Sequence, residues 1–277
     1  MAVDKRRMCP NCRAFISSDD KACPYCEAEM GARAVETRPS QDSMGGVHFT
    51  TSVILLLNVG LYIAPAVYSM KGPNGSLLDI DAVTLAFFGA KLRSQIFAGQ
   101  WWRLVTAGFL HGGLIHILIN SWSLFGLGAL VEETYGTYRF LVFYFAGTVA
   151  GFAASTYWSN SLSVGASAGI CGLIGAMVAV GFKEPETRIG ALVRTQYVQW
   201  IVWIVVIGFM GRVDNAAHFG GFVAGFLAGY LSGTPRVAQT GSENLWKVLA
   251  AVCILITAYS FAMMFLNFTL VYQHLGA

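Results

Sequence analysis

The chain has 277 residues, of which 55% are hydrophobic and only 12% are charged, and its formal net charge is +3. Soluble domains carry roughly twice that share of charge, so the composition excludes an ordinary soluble enzyme and favours a membrane protein. The mean hydropathy of +0.57 agrees with this interpretation, and the small net charge gives no support for nucleic acid as a partner.

Four of the six cysteines form two Cys-x-x-Cys pairs, Cys9 with Cys12 and Cys23 with Cys26. Each pair can turn two thiolates toward one point, and two pairs complete the tetrahedron that Zn²⁺ prefers. Two disulfides or free thiols are the alternatives, but adjacent pairs of this kind are seldom structural disulfides. The segment resembles a zinc ribbon, and we predict one structural zinc over residues 1–27, which would fold on the metal.

Residues 28–47 are polar, have no apolar period and are predicted to form a flexible linker. From residue 48 the sequence has apolar runs that approach the roughly 20 residues a helix needs to cross a bilayer. We predict an all-α bundle of seven spans, at 49–70, 113–131, 139–158, 164–182, 196–211, 214–232 and 246–271. Only a short polar turn near Arg212 separates the fifth from the sixth, so one kinked span is the alternative there.

The distribution of lysine and arginine predicts the orientation of this multi-pass protein. Most of them lie in the N-terminal segment and in the loops on its side of the membrane. The positive-inside rule therefore predicts a cytosolic N-terminus and, after seven spans, an external C-terminus. The long external loop is an exception, because it carries Lys71, Lys91, Arg93 and Arg103.

Polar residues recur at one depth in three of the predicted spans. An ionisable histidine inside a membrane span is costly and is a functional candidate by default. With the predicted orientation, His116, Ser167 and His218 lie near the outer starts of three parallel spans, and Asn120 shares a helix face with His116. A nucleophile and a base at one depth suggest hydrolysis inside the bilayer. A packing histidine and an asparagine that joins two helices are the respective alternatives.

Small residues predict that the fourth and sixth spans touch. Ser167, Cys171 and Gly175 are spaced by four, and glycines recur every fourth residue from Gly221 in the sixth span. Such stripes let membrane helices approach closely. Ordinary packing without chemistry is the alternative, but it does not explain why one stripe carries a serine and the other follows a histidine.

Several motifs in this order resemble those of the rhomboid intramembrane serine proteases. They are Trp102-Arg103 in the external loop, His111-Gly-Gly-Leu-Ile-His116-Ile-Leu-Ile-Asn120 on the second span, Glu132 ahead of Gly136, Gly165-Ala-Ser167 on the fourth span, and Ala217-His218-Phe-Gly-Gly221-Phe-Val-Ala-Gly225 on the sixth. The match extends from about residue 49 to 232. The resemblance implies a six-span core over 48–232, followed by a connector and a seventh helix over 233–277.

The same resemblance implies a role for each polar residue. Ser167 would be the nucleophile and His218 its general base, as a dyad that needs no cofactor. His116 and Asn120 would stabilise the oxyanion together with the Ser167 backbone N–H. The fourth and sixth spans contain no acidic residue, and Asp214 in the turn is only a weak candidate for orienting the imidazole.

Further residues are predicted to be accessory. His111 is five residues before His116, about 140° around a helix, so the two are not expected to share a face. Trp102 and Arg103 are expected to anchor the external loop at the membrane interface, where tryptophan is enriched. Glu132 is expected to make a structural hydrogen bond near the cytosolic end of its span.

The sequence departs from the family pattern at two positions. The nucleophile is usually followed by glycine, whereas here Ala168 follows Ser167. One turn further, Cys171 stands where an aromatic residue often packs on the histidine. Gly221 and Gly225 keep the pattern and are predicted to allow close packing.

The implied function is an intramembrane endopeptidase of a bacterial inner membrane. A helical substrate hides its carbonyls in hydrogen bonds, so the expected substrates are membrane proteins with helix-destabilising segments. Membrane lipid surrounds the spans, and a cytosolic protein is a further expected partner, at the zinc ribbon. The alternative is a catalytically inactive, derlin-like protein that binds membrane proteins, but such a protein has no reason to keep all four polar residues.

Overall fold

The computed structural model describes residues 6–9, 11–12, 14–17, 20, 22–28, 48–71, 76–186, 188–210, 213–233 and 240–275. The chain divides into two compact units, Met1–Asp42 and Ser43–Ala277. Nearly all of the predicted linker, over 29–47, lies outside the described residues, as do positions 211–212 of the predicted turn and 234–239 of the predicted connector.

The N-terminal unit is a small hairpin with the cysteines at its centre. Strands β1 (Arg6–Met8) and β2 (Phe15–Ser17) pair antiparallel. The buried hydrophobic residues described in this unit are Cys9, Ile16 and Cys23. A core of that size is too small to stabilise a fold without a crosslink or a metal.

The second unit is helical throughout its described elements. In chain order these are α1 (Phe49–Ser69), α2 (Ala82–Phe87), α3 (Arg93–Phe97), α4 (Arg103–Thr106), a 3-10 turn (Ala107–Phe109), α5 (Leu114–Tyr135), α6 (Thr137–Trp158), α7 (Ser167–Lys183), α8 (Arg188–Met210), α9 (Asn215–Leu231) and α10 (Thr240–Leu275). Among the described residues, α1, α5, α6 and Glu243–Thr269 of α10 are long and apolar enough to cross a membrane, and α7 is apolar but shorter. The span count of seven stays a prediction.

Three helices extend beyond their predicted spans. Helix α5 continues to Tyr135, α8 begins at Arg188 and α10 begins at Thr240. The added residues include Arg188, Arg194, Glu132 and Glu243; Arg and Glu are good helix formers, whereas hydropathy marks only the apolar part of a helix. Helices α8 and α9 are separate, and Val213 and Asp214 between them are not helical, so the two do not form one continuous helix.

Helix α7 lies at the centre of the helical unit. Every residue from Ala168 to Gly181 is buried, and a helix that is apolar on all sides belongs inside a bundle. Helices α6 and α9 pack most extensively against it. The outer helices expose large apolar side chains, such as Trp122 of α5, which is 84% exposed. This arrangement is that of a bundle surrounded by lipid.

The loop between α1 and α5 is held by buried cations. Lys91 is fully buried, and its Nζ donates to the carbonyls of Ser159 (2.7 Å) and Ser161 (3.1 Å). Arg103 is also buried, and its Nη1 donates to the carbonyls of Ala86 (2.8 Å) and Ala90 (2.9 Å). Both cations donate to backbone carbonyls inside the protein, so two of the four basic residues in the predicted external loop have a structural role.

Trp102 was expected to anchor the loop at the membrane interface, but its side chain is buried inside the protein. Trp102 is only 2% exposed, and the Arg103 guanidinium lies 4.8 Å from its ring centroid. The neighbouring Trp101 is 45% exposed and stacks on Tyr259 of α10. The motif therefore organises the interior of the loop, because the helical turn at α4 directs Trp102 inward and Trp101 outward.

Candidate active site

Ser167 is the first residue of α7, and the chain enters it through a constrained glycine. Gly165 has a φ of +130°, which residues with a side chain rarely adopt. A Cβ at this position would lie 2.7 Å from His116 Nε2 and 3.6 Å from Ser167 Oγ. Gly165 also donates its N–H to the Ala107 carbonyl at 2.9 Å. Glycine thus lets the His116 ring approach the start of α7.

His218 lies in the first turn of α9 and meets Ser167. Its Nε2 is 2.8 Å from Ser167 Oγ, a normal hydrogen-bond distance. The ring is buried, with 5% of His218 exposed. Within the described residues, Nδ1 has no hydrogen-bond partner. The two side chains predicted to react are therefore in contact, and no described carboxylate orients the ring.

Close backbone packing sets the distance between α7 and α9. A Cβ on Gly221 would overlap the Ala168 carbonyl, and one on Gly225 would overlap the Gly172 carbonyl. The glycine stripe of α9 is therefore confirmed as a packing surface, and the α7 residues opposite Gly221 and Gly225 are Ala168 and Gly172. Gly175 of the predicted α7 stripe also packs on α9, because a Cβ there would overlap the Phe222 carbonyl. Ser167 lies against His218 and not against the glycines.

Helix α6 completes this three-helix arrangement. Its Gly147 approaches the Cα of Gly172 in α7, and its Gly151 approaches the carbonyl of Ala217 in α9. Cys171 is buried in α7, 1% exposed, one turn after Ser167. Small residues on all three helices bring the starts of α7 and α9 together.

His116 and Asn120 lie on α5, one turn apart. The His116 ring borders Gly165, as described above, and the Asn120 amide donates to the His116 carbonyl at 3.1 Å. Asn120 is 4% exposed. An amide nitrogen carries two hydrogens, so this bond leaves one of them available. The structure thus brings His116 to the nucleophile and leaves Asn120 bonded to its own helix.

His111 precedes α5 and is fully buried. Its ring lies edge-on to that of His116, with centroids 5.2 Å apart. Neither ring nitrogen has a hydrogen-bond partner among the described residues. Because it lies outside the helix, His111 contacts His116 without sharing a helix face with it.

Glu132 lies at the far end of α5 and joins three helices. Its carboxylate accepts the backbone N–H groups of Thr50 and Thr51 (both 3.2 Å) and the hydroxyls of Thr51 (2.9 Å) and Thr137 (3.1 Å). A carboxylate at the first turn of α1 satisfies free N–H groups and interacts favourably with the helix dipole. Its contacts are structural, and Glu132 is at the opposite end of α5 from His116.

The four N-terminal cysteines form a separate candidate metal centre. Their Sγ atoms all lie within 4.8 Å of one another, with Cys9 to Cys26 at 3.7 Å and Cys12 to Cys23 at 3.6 Å. Four Zn–S bonds of about 2.3 Å form a tetrahedron with edges of about 3.8 Å. The pKa of the Cys26 thiol is lowered to about 6, chiefly by a hydrogen bond from the backbone N–H of Ala28. The donors and their spacing fit Zn²⁺.

Sequence reasoning missed one contact near the site. The sequence suggests Asp214 only as a weak partner for the imidazole, but its carboxylate accepts the Ala217 N–H (3.0 Å) and the Ser155 hydroxyl. An aspartate directly before a helix is a recognised N-cap signal. The bond to Ser155 joins α9 to α6, and no sequence pattern indicates it.

Comparison with known proteins relates most of the helical unit to one family. Residues 98–235 match the family model described as Rhomboid domain. Rhomboid protease GluP of Bacillus subtilis is 36% identical over 192 residues, covering 68% of this chain and 36% of that relative. Rhomboid-like protease 1 of Toxoplasma gondii is 33% identical over 226 residues, covering 74% of this chain and 75% of that relative. Rhomboid protease AarA of Providencia stuartii is 29% identical over 206 residues, covering 65% of this chain and 71% of that relative.

The extent of these matches differs between relatives. The chain covers 36% of the length of the Bacillus relative and 40% of RHOMBOID-like protein 9 of Arabidopsis thaliana, so it spans less than half of each. The region that matches the family model includes His116, Asn120, Ser167 and His218. The N-terminal cysteines lie outside that region.

Proposed function

The chain belongs to the rhomboid family of intramembrane proteases, and from that premise we propose that it is a serine endopeptidase with a Ser167–His218 dyad. It would hydrolyse peptide bonds in or next to the transmembrane segments of other membrane proteins. The observation that carries this proposal is the 2.8 Å contact between Ser167 Oγ and His218 Nε2. A serine within hydrogen-bond reach of an imidazole is the arrangement that activates a nucleophile.

The proposed reaction has two halves. In the first, Ser167 Oγ attacks the substrate carbonyl while His218 Nε2 accepts its proton, and the imidazolium then protonates the leaving amine. In the second, a water molecule loses a proton to His218 and attacks the acyl-enzyme. The imidazolium then returns that proton to Ser167 Oγ as the bond to the acyl group breaks, which releases the carboxyl product. For Nε2 to accept a proton, the neutral ring must carry its hydrogen on Nδ1.

Three donors would stabilise the oxyanion. The first is the Ser167 backbone N–H, which lies in the first turn of α7, where N–H groups lack helical acceptors and the helix dipole favours negative charge. The other two are a ring N–H of His116 and the free amide hydrogen of Asn120. One such donor is typically worth about 3–4 kcal/mol in the transition state.

The proposed substrates are transmembrane proteins with helix-destabilising segments. A carbonyl in an intact helix is hydrogen-bonded and enclosed by its own side chains. Ser167 and His218 lie at the starts of two helices within a buried cluster, so a substrate must present an extended segment to reach them. Glycine or proline near the cut bond lowers the energy needed for that unwinding.

The chain is an integral membrane protein, and we propose its finer organisation as follows. Residues 48–232 would form the six-span catalytic core, and 233–277 a connector and a seventh span. The N-terminus would face the cytosol and the C-terminus the exterior of a bacterial inner membrane. Residues 28–47 would link this core to the ribbon over 1–27.

The ribbon would bind one zinc ion through its four cysteines. Bound zinc would supply the crosslink that the hairpin's small core lacks. Catalysis needs no cofactor in this proposal, because the serine, the base and the oxyanion donors are all protein groups. A cytosolic protein or the tail of a substrate would dock on the ribbon. The inactive, derlin-like alternative is not favoured, because three of the relatives above are named as proteases.

Cleavage by purified protein tests the proposed function. The full chain is incubated with a panel of labelled single-span substrates, half with a Gly or Pro near the external face and half without. We expect cleavage of the first group and none by Ser167→Ala. No cleavage of any substrate by folded parent protein, or equal cleavage by Ser167→Ala, contradicts the proposal.

A further inference from the structure

The carboxylate of Asp214, near the proposed dyad, bonds both to the first turn of α9 and to the neighbouring helix α6. Asp214 precedes the helix, and its Oδ1 accepts the N–H of Ala217 at 3.0 Å. Its Oδ2 accepts the hydroxyl of Ser155 in α6. Its backbone carbonyl accepts the N–H of His218 at 3.1 Å. The aspartate therefore both caps α9 and joins it to a neighbouring helix.

The contact with α6 is made in a closely packed place. Ser155 is fully buried and Ala217 is 2% exposed. A Cβ on Gly151 would meet the Ala217 carbonyl, and one on Gly220 would meet the Ala150 carbonyl. The first turn of α9 thus lies directly on α6, and the bond from Ser155 fixes where that turn begins.

The position of the His218 ring depends on this turn. A helix end frays when its first N–H groups have no acceptors. Among the described residues nothing bonds to Nδ1 of His218, so the backbone of the first turn, together with the bond to Ser167, determines where Nε2 lies. Any shift of that turn moves the base relative to Ser167 Oγ.

We propose that Asp214 is a positioning residue for His218, acting through the Ala217 amide and the Ser155 hydroxyl. The proposal rests on the proposed function, since it concerns the efficiency of that dyad. Asp214 does not touch the imidazole in this role and takes no proton. Its effect is geometric, because the two hydrogen bonds, and not the negative charge, hold the base in place.

Charge is the competing cause, and the surroundings allow the two to be separated. Lys91 is near enough to interact with Asp214, because burial lowers the pKa of Lys91 while attraction to Asp214 opposes that shift. Asp214→Asn removes the charge but keeps an oxygen for the Ala217 N–H and offers an amide to the Ser155 hydroxyl. Asp214→Ala removes both bonds, and Ser155→Ala removes only the bond to α6.

The chain supplies a matched control in Asp81. This aspartate caps α2 by accepting the Thr84 N–H at 2.8 Å, and it also accepts the hydroxyl of Ser69 in α1 at 2.8 Å. The arrangement is the same, an N-cap joined to a serine of another helix, but it lies in the external loop and holds no proposed catalytic residue. Asp81→Ala and Ser69→Ala thus report the general effect of losing a helix cap that is hydrogen-bonded to a second helix.

The experiment measures kcat, KM and thermal stability for each full-length variant with a substrate that the parent cleaves. We expect Asp214→Ala to lower kcat about 10- to 100-fold with KM within about threefold, since small misplacement of a reacting group costs that much. Ser155→Ala should lower kcat about 3- to 10-fold and Asp214→Asn less than about threefold. Asp81→Ala and Ser69→Ala should lower stability and leave kcat unchanged.

Hydrogen exchange supplies a readout that does not depend on cleavage. Amides 215–221 should exchange faster in Asp214→Ala and in Ser155→Ala than in the parent or in Asp214→Asn. Parental kcat in Asp214→Ala overturns the proposal, as does an equal loss in Asp81→Ala or an equal loss in Asp214→Asn. Parental exchange at 215–221 in both Asp214→Ala and Ser155→Ala also overturns it. If the folded parent cleaves nothing, the proposed function fails and the positioning role fails with it, a result distinct from a loss confined to the variants.

Discussion

Two regions of the helical unit bury their backbone inside the protein in different ways. In the glycine-packed core of α6, α7 and α9, backbones touch because small residues remove the side chains between them. In the loop over 76–113, irregular backbone is buried. Arg103 donates to the Ala86 carbonyl within this loop, and Lys91 of the loop donates to the Ser159 carbonyl in the connection between α6 and α7. Helices satisfy their own backbone groups, whereas buried irregular chain needs donors from elsewhere.

This difference between close packing and hydrogen bonding also applies to the parts of the candidate active site. The Ser167–His218 contact depends on how closely α7 and α9 approach, so it is a property of the glycine-packed core. His116 lies on α5, which continues directly from the loop: Leu114 donates its N–H to the Leu78 carbonyl at 3.0 Å. The distance between the nucleophile and the base is thus set by packing, whereas the start of α5 is also held by a backbone hydrogen bond to Leu78.

Breaking the glycine-packed core should have the largest effect. In Gly225→Val the new side chain would overlap the Gly172 carbonyl, so α7 and α9 must separate. We expect a loss of about 3 kcal/mol in stability and no measurable cleavage. Thermal unfolding and substrate cleavage measure both effects. Gly126→Ala on α5 is the control, because nothing lies within 4 Å of the added carbon; equal stability of the two variants would contradict the account.

Removing the proposed donors on α5 tests whether that helix contributes chemistry or only packing. Asn120→Ala and His116→Ala should each lower kcat about 100-fold or more with little change in KM, because the charge they stabilise develops only in the transition state. Steady-state kinetics separate the two constants. Thr134→Ala is the control, since its hydroxyl also bonds a carbonyl four residues earlier on α5 but is exposed. An effect confined to KM would indicate a binding or packing role.

Weakening the loop should have a moderate effect. Arg103 donates to Gln100 Oε1 and to two carbonyls, and a lysine ammonium cannot reproduce that planar geometry. We expect Arg103→Lys to lower stability by about 2 kcal/mol. Arg93→Lys should change stability little, because Arg93 makes one long bond, of 3.5 Å, to the Tyr157 carbonyl. Equal melting temperatures for the two variants would show that the loop does not depend on Arg103.

Removing the ribbon should have the smallest effect on catalysis. Deletion of residues 1–40 should abolish bound zinc, measured by elemental analysis, and leave cleavage of a short model substrate within about twofold, since the linker predicted over 28–47 would transmit little strain. Replacing all four cysteines by serine should give the same result. Zinc that remains after that replacement would refute the site, and lost cleavage in a well-folded truncation would refute the independence.

Much of this organisation follows from local sequence. Apolar runs gave the long helices, and the spacing of Gly221 and Gly225 indicated a packing surface on α9. The spacing of the cysteines likewise predicted one cluster. These features depend on residues near each other in the chain, where periodicity and motif spacing carry the information.

Other features depend on contacts between distant segments, and the sequence could not reveal them. The position of Ala168 opposite Gly221 depends on how α7 rotates to direct Ser167 at His218. The burial of Trp102 depends on how the short helices of the loop fold. The bond between Ser155 and Asp214 joins residues 59 positions apart, and single-sequence patterns do not encode such pairs.

Labelling with a fluorophosphonate tests the central claim most directly, because such probes react with an activated serine. The full chain is treated in membranes, and the adduct is located by mass spectrometry. The account predicts a single adduct on Ser167 in the parent and none in Ser167→Ala or His218→Ala. An adduct at another residue, or parental labelling of His218→Ala, would contradict the claim that Ser167 and His218 act as a nucleophile and its base.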